Sequence, residues 1–376
     1  MWQVMVCSVA VVFAGCAEDT CGLGEVIERS SSTEPGTLQQ GIKYESLAPW
    51  AVAARSDGGV LCVTCNGLVA FDAQLRGARA DVDMPRGVAV APDDAVYALT
   101  PGANPDVAEL VALSPAGEQR WKTEISRNAT QGLAVFVATT EGPYVAEFTA
   151  GGGAITGFDA ATGARRRVAS GQSLLGAAHG GVYTAERDAA GAVALHHLDP
   201  DGNATWSRTL ASTTDGLKLR GAVASPDGGA VVFGSTPWTL DLGDRTLPVT
   251  RSPSEFVAAF NASGATRWAF APSFYITSMA ATAQGDLLIA GVTGGGVVGP
   301  ASDAYLSLVT ADGAVVRTLS ITGSGHQSIA AVAPTPDGLA WLQINSSSDD
   351  NQPPPVMQVG DHTFAEAGTY LFKLVP

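Results

Sequence analysis

The residues with the most specific chemistry in this 376-residue chain are five cysteines and five histidines, and their spacing decides what they can do. Cys62-Val63-Thr64-Cys65 has a CxxC spacing. A zinc site built on it needs a second pair or nearby histidines, and the sequence supplies neither. A redox pair wants a helix N-terminus to lower the thiol pKa. Here the motif sits on a strand-forming run that leads into Asn66-Gly67, a hairpin signal. A structural disulfide or two buried thiols is therefore expected at Cys62 and Cys65. His179, His196, His197, His326 and His362 are scattered, none with a second ligand at metal-binding spacing. On a strand, the adjacent His196 and His197 point to opposite faces. Asp199-Pro200-Asp201-Gly202-Asn203 resembles a calcium loop without its distal bidentate acid and reads as a turn. Asn128, Asn203, Asn261 and Asn345 head glycosylation-type triplets that read most simply as turns. A P-loop, a nucleophile elbow and a dinucleotide fingerprint are all missing. The sequence predicts no catalytic residue, no metal site and no cofactor.

What positions these residues is a repeat. Residues 219–271 hold four short apolar runs, beginning at Gly221, Ala230, Phe256 and Ala265 and divided by Pro226-Asp227-Gly228, a polar excursion and Asn261-Ala262-Ser263-Gly264. Four β-type runs with turn residues between them predict one four-stranded antiparallel meander. Tandem copies predict an all-β, seven-bladed β-propeller of four-stranded antiparallel blades. A turn glycine recurs at Gly117, Gly163, Gly202, Gly264 and Gly313, followed four residues later by Trp121, Arg167, Trp206, Trp268 and Arg317. The glycine supplies positive φ, and the large residue covers apolar space between blades. Tyr370–Leu374 reads as the third strand of the last blade. Its missing fourth strand is expected from the other end, at about residues 41–46, where Gly41-Ile42-Lys43-Tyr44-Glu45 resembles Glu118-Gln119-Arg120-Trp121-Lys122. Closing the ring this way leaves no open edge between first and last blades.

Charged residues make up only 15% of the chain, yet the net charge is −15. That excludes nucleic acid, whose phosphates need a basic face, and disfavours adsorption to anionic lipid. Residues 1–15 are uncharged and mostly apolar, too short to span, and read as a secretory signal. They end at Phe13-Ala14-Gly15-Cys16, which resembles the bacterial lipobox and makes Cys16 the expected lipidated N-terminus. Residues 16–40, which include Cys21, are polar and aperiodic and predict a flexible tether. The propeller is expected over 41–376.

In its repeats the chain resembles bacterial cell-surface propeller lipoproteins of the seven-bladed type abundant in myxobacteria. The resemblance rests on Leu240-Asp241-Leu242-Gly243-Asp244-Arg245-Thr246-Leu247, on Glu255-Phe256-Val257, and on the echo Met357-Gln358-Val359-Gly360-Asp361-His362-Thr363-Phe364. Such blades carry a Gly-rich turn with a short second hairpin. Blade three, through Gly157–Gly163, is also similar to quinoprotein-like propellers, a group that includes dehydrogenases and an outer-membrane assembly lipoprotein. These resemblances imply a lipid-anchored module of the cell envelope, outer membrane included, with an envelope-assembly scaffold or a quinoprotein- or lyase-type enzyme as alternatives. The longest loops, Thr236–Ser254, Thr293–Asp303 and Asn345–Gly368, fall in blades five to seven. Long loops on a rigid ring carry binding. They supply Trp238, Asp241, Asp244, Arg245, Arg251, Asp349, Asp350, Asp361 and His362 as candidate contacts for an envelope protein or polysaccharide. The other reading makes them extra hairpins that widen the blades. A monomer is expected, touching the membrane only through its lipid.

Overall fold

A computed structural model describes residues 25–29, 38–44, 51–64, 67–71, 77–80, 87–104, 107–126, 136–149, 152–212, 216–249, 254–293, 302–347, 355–359 and 362–375. Every regular element among them is a strand, and the strands form seven antiparallel blades arranged as a β-propeller. Two compact units share them: residues 86–273 hold blades two to five, and residues 15–85 with 274–376 hold blades one, six and seven. Among the described residues no helix is long and apolar enough to cross a membrane.

Blade five shows how the sequence builds the unit. Its strands are Lys218–Ala224, Ala230–Thr236, Ser254–Phe260 and Thr266–Phe270, paired in that order. The second and third strands are covered on both faces, so Ala230–Gly234 and Glu255–Phe260 are buried without alternation. Outer strands are covered less evenly. Ala204–Ser212 of blade four and Val315–Gly323 of blade six mix exposed and buried positions. The turn after the first strand is closed by Gly228 N–H on the Ser225 carbonyl at 3.0 Å and by Gly229 N–H on Asp227 Oδ1 at 3.1 Å. Gly228 takes φ +83°, which only glycine adopts cheaply.

The inner strands of blades four to seven share an irregularity absent from the sequence reading. A register shift falls between Leu174 and Gly176, Leu219 and Gly221, Ile276 and Ser278, and Ile329 and Ala331. The bulge brings neighbouring inner strands very close. A Cβ on Gly176 would lie 2.0 Å from the Ala222 carbonyl oxygen, so that position of blade four admits only glycine. In blade six the equivalent residue is Ser278, whose Oγ accepts the Val332 N–H of blade seven at 3.3 Å.

The ring-closing strand is present and runs Leu38–Tyr44, starting before the expected residue 41; residues 45 and 46 lie outside the described residues. It pairs antiparallel with Gly368–Leu374, with Gly41 opposite Phe372 and Ile42 opposite Leu371. The sequence placed residues 16–40 in a tether, yet Glu25–Arg29 inside that stretch is a further strand on the outer side of Leu38–Tyr44. The physical reason is that an edge strand offers unpaired N–H and C=O groups to any extended segment, whatever its side chains. Cys16 and Cys21 lie outside the described residues.

Candidate functional site

Of the candidate contact residues, Trp238, Asp241, Asp244 and Arg245 lie together on the loop after Thr236. That loop folds into a hairpin, Leu240–Asp241 against Thr246–Leu247. Its first strand adds to Ala211–Ser212, the end of blade four's outer strand. The hairpin thus widens the preceding blade, not the one that supplies it. Leu240 and Leu242 anchor it, both fully buried in the core of blades three to five. Gly243 turns the tip, its N–H on Asp241 Oδ1 at 2.7 Å.

Asp244 and Arg245 are exposed, yet both tie the hairpin to neighbouring strands. Asp244 Oδ1 lies 2.8 Å from Arg208 Nη2 of blade four, and its Oδ2 accepts the Thr266 N–H of blade five at 3.0 Å. Arg245 donates to the Thr266 carbonyl at 3.2 Å, and Arg208 Nε donates to the Leu242 carbonyl at 2.6 Å. Desolvation raises the Asp244 pKa, but the Thr266 hydrogen bonds and the Arg208 charge outweigh it and hold the carboxyl at about 2. Asp244 is a fixed anion bracing two outer strands. Arg208 and Thr266 were missed by sequence reasoning, which had no signal linking residues of different blades.

Trp238 behaves differently. Its side chain is 53% exposed, while its carbonyl accepts Thr236 Oγ1 at 2.9 Å. Thr236 is fully buried and also meets Ser212 Oγ at 3.2 Å. An exposed indole is therefore carried on a backbone tied to both blades.

The second hairpin, Met357–Val359 against His362–Phe364, repeats the arrangement on blade six, where it adds to Thr322–Gly323. Met357 and Val359 are fully buried, and the Phe364 ring lies 5.0 Å from that of Phe372. His362 is half-buried on its second strand. Arg251, Asp349, Asp350 and Asp361 lie outside the described residues.

The groups first considered for chemistry lie apart from these hairpins. His196 Nδ1 meets Ser207 Oγ at 2.7 Å, and His197 Nδ1 meets Thr205 Oγ1 at 2.5 Å. Burial lowers the pKa of both imidazoles, and His197 packs between Tyr183 and Trp206. Asp199 forms a turn, its Oδ1 accepting the N–H groups of Asp201 and Asn203 at 3.0 and 2.8 Å. Cys62 is fully buried on Val60–Thr64, and Cys65 lies outside the described residues. Among the described residues no three His, Cys, Asp or Glu side chains converge on a metal-sized site. Lys373 is buried, with Nζ 3.2 Å from Asp337 Oδ2 and 3.3 Å from the Gly58 carbonyl, over the Trp341 ring.

No protein-family model matches the chain, and no curated protein does. Among solved structures, U3-55K is 8% identical, with a TM-score of 0.52 over 88% of this chain and 96% of that one. BamB from Moraxella catarrhalis is 16% identical, with a TM-score of 0.45 over 94% of this chain and all of that one. A gluconolactonase from Xanthomonas campestris is 10% identical, with a TM-score of 0.39 over 98% and 99%. What U3-55K shares with this chain is the fold. Identities so low carry nothing about activity or partners.

Proposed function

We propose that this propeller is a non-catalytic interaction module of the cell envelope, held to the outer membrane through a lipid on Cys16. The observation that carries its binding role is Trp238. Large aromatics dominate recognition because they bring much contact area at little entropic cost. An indole left half in water on a braced backbone is poised for a partner rather than for the core. Its neighbours Asp241, Asp244 and Arg245 are exposed, with Asp244 and Arg245 held in place by blades four and five, so the contact surface is aromatic, polar and charged. That suits a polysaccharide or a protein surface better than a small apolar ligand.

Trp238→Ala removes the half-exposed indole. It should abolish capture of a partner from envelope extracts, or of envelope polysaccharide, while leaving the melting temperature within about 1–2 °C of wild type. Asp227→Ala, on a short turn after a first strand, is the matched control and should leave capture intact. Capture that survives Trp238→Ala but is lost in the control would put the site on the short-turn face. For the anchor, Cys16→Ser should release the protein from membranes. Unchanged partitioning would end that part of the reading.

A further inference from the structure

Glu25–Arg29 changes where the chain joins the last blade. Leu38–Tyr44 begins beside Leu374 and Ala340, at the end closed by the turn from Thr335 to Leu339. It finishes beside Thr369 and Asn345, at the end that carries the loop from Ser347 to Gly368. By itself this strand would bring the preceding chain in at the turn end. Glu25–Arg29 runs back antiparallel along its outer side, with Arg29 opposite Gln40 and Glu25 opposite Lys43. The chain before Glu25 therefore starts from the loop end. The segment suits an outermost position. Val26 and Ile27 favour an extended backbone, and the charges of Glu25, Glu28 and Arg29 discourage further pairing.

The added strand also shortens the link to the anchor. Leu38 lies 22 residues beyond Cys16, a length that reaches about 75 Å when extended and lets either end of the blade approach a membrane. Glu25 lies only nine residues beyond Cys16, which reach at most about 30 Å. A seven-residue strand spans about 23 Å. With the shorter link, the turn end meets the membrane only if most of that link runs back along the blade. Charge does not draw the loop end to the surface. The loop holds Asp349, Asp350, Asp361 and Glu366 and no lysine or arginine, so anionic headgroups repel it. What orients the blade is the place and length of its link.

We propose that Glu25–Arg29 is an orienting strap, which fixes the departure of the lipid anchor at the loop end of blade seven and turns that end toward the membrane. The proposal rests on the lipid at Cys16. The surface so presented is the end that carries the hairpin of Met357–Val359 and His362–Phe364, held within about 30 Å of the headgroups.

The test uses the lipidated full chain in phosphatidylcholine vesicles that carry an acceptor dye on their headgroups. Cys21→Ser and Cys65→Ser remove competing thiols, and Cys62 is buried. A donor dye is placed at Ala367→Cys, at the loop end of blade seven, or at Ala314→Cys, at the turn end of blade six; both positions are exposed. Energy transfer should be at least about twofold greater from 367 than from 314, because the two ends lie roughly 20 Å apart. Val26→Pro with Glu28→Pro takes donors from the strap and should bring the two signals together while the protein stays on the vesicles. Inserting about twenty Gly and Ser residues after Thr20 should do the same with the strap intact. Equal transfer from the two sites in the parent chain would overturn the proposal. So would a difference that survives the proline pair or the longer link. Cys16→Ser separates the strap from the anchor. Release of that variant, with equal transfer in the parent, keeps the lipid and ends the strap; retention without Cys16 ends both.

Discussion

The indole of Trp206 lies across Gly264, the turn glycine of the following blade, so that a Cβ there would sit 3.1 Å from its ring. Trp121 and Gly163 repeat the relationship at 2.7 Å, and Trp121 Nε1 donates to the Ala160 carbonyl at 2.9 Å. The periodic glycine and the tryptophan four residues later therefore belong to different clasps, each joining one blade to the next. Gly163 also holds φ +70°. Gly163→Ala should cost about 1–3 kcal/mol from backbone strain and the displaced ring. Trp121→Phe should cost about 1 kcal/mol from the lost hydrogen bond. Urea midpoints measure both, and an unshifted Gly163→Ala midpoint would refute the clasp.

Asp244 gives the fold an acid-sensitive brace. Its folded pKa of about 2 lies below the unfolded value of about 3.9. Its contribution is therefore fully present above about pH 4 and lost as pH falls through about 2. Asp244→Asn should lower stability at neutral pH and flatten the loss between those values. Denaturant unfolding across that range checks it, and parallel curves would show that Arg208 and Thr266 give Asp244 no net stabilisation.

Lys373 links the last blade to the first by contacts that apolar replacement cannot copy. Lys373→Met leaves the Asp337 carboxylate and Gly58 carbonyl without its ammonium and should cost about 1–3 kcal/mol. Desolvation raises the Asp337 pKa, and the Thr335 hydroxyl and Lys373 more than offset it. In the variant, that pKa should rise toward the ordinary carboxylate range. Stability that Asp337 contributes above that range, and loses as pH falls, should shrink accordingly. Carboxylate titration by NMR reads the shift directly.

Deleting residues 38–44 removes the strand that closes the last blade and uncovers Gly368–Leu374. Aggregation or a loss of cooperative unfolding is expected, because a buried apolar strand becomes an open edge. Light scattering and calorimetry decide it. Deleting 30–36, between the two N-terminal strands, should do far less.

The sequence by itself determined the strands, the turns and the closure. Runs such as Ala230–Gly234 and turns such as Pro226-Asp227-Gly228 carry local chemistry, and local chemistry is written in neighbouring residues. Burial of Trp121 and Trp206 followed from their period. Only tertiary structure decided where the hairpin of Leu240–Leu247 docks, that Asp244 meets Arg208, and that Glu25–Arg29 adds a strand. Strand addition joins backbone N–H and C=O groups that every residue but proline presents alike, so the choice of edge leaves no side-chain signature. A carboxylate that braces and one that binds are the same residue in sequence. Which one Asp244 is depends on a guanidinium that the curvature of two blades brings within 2.8 Å.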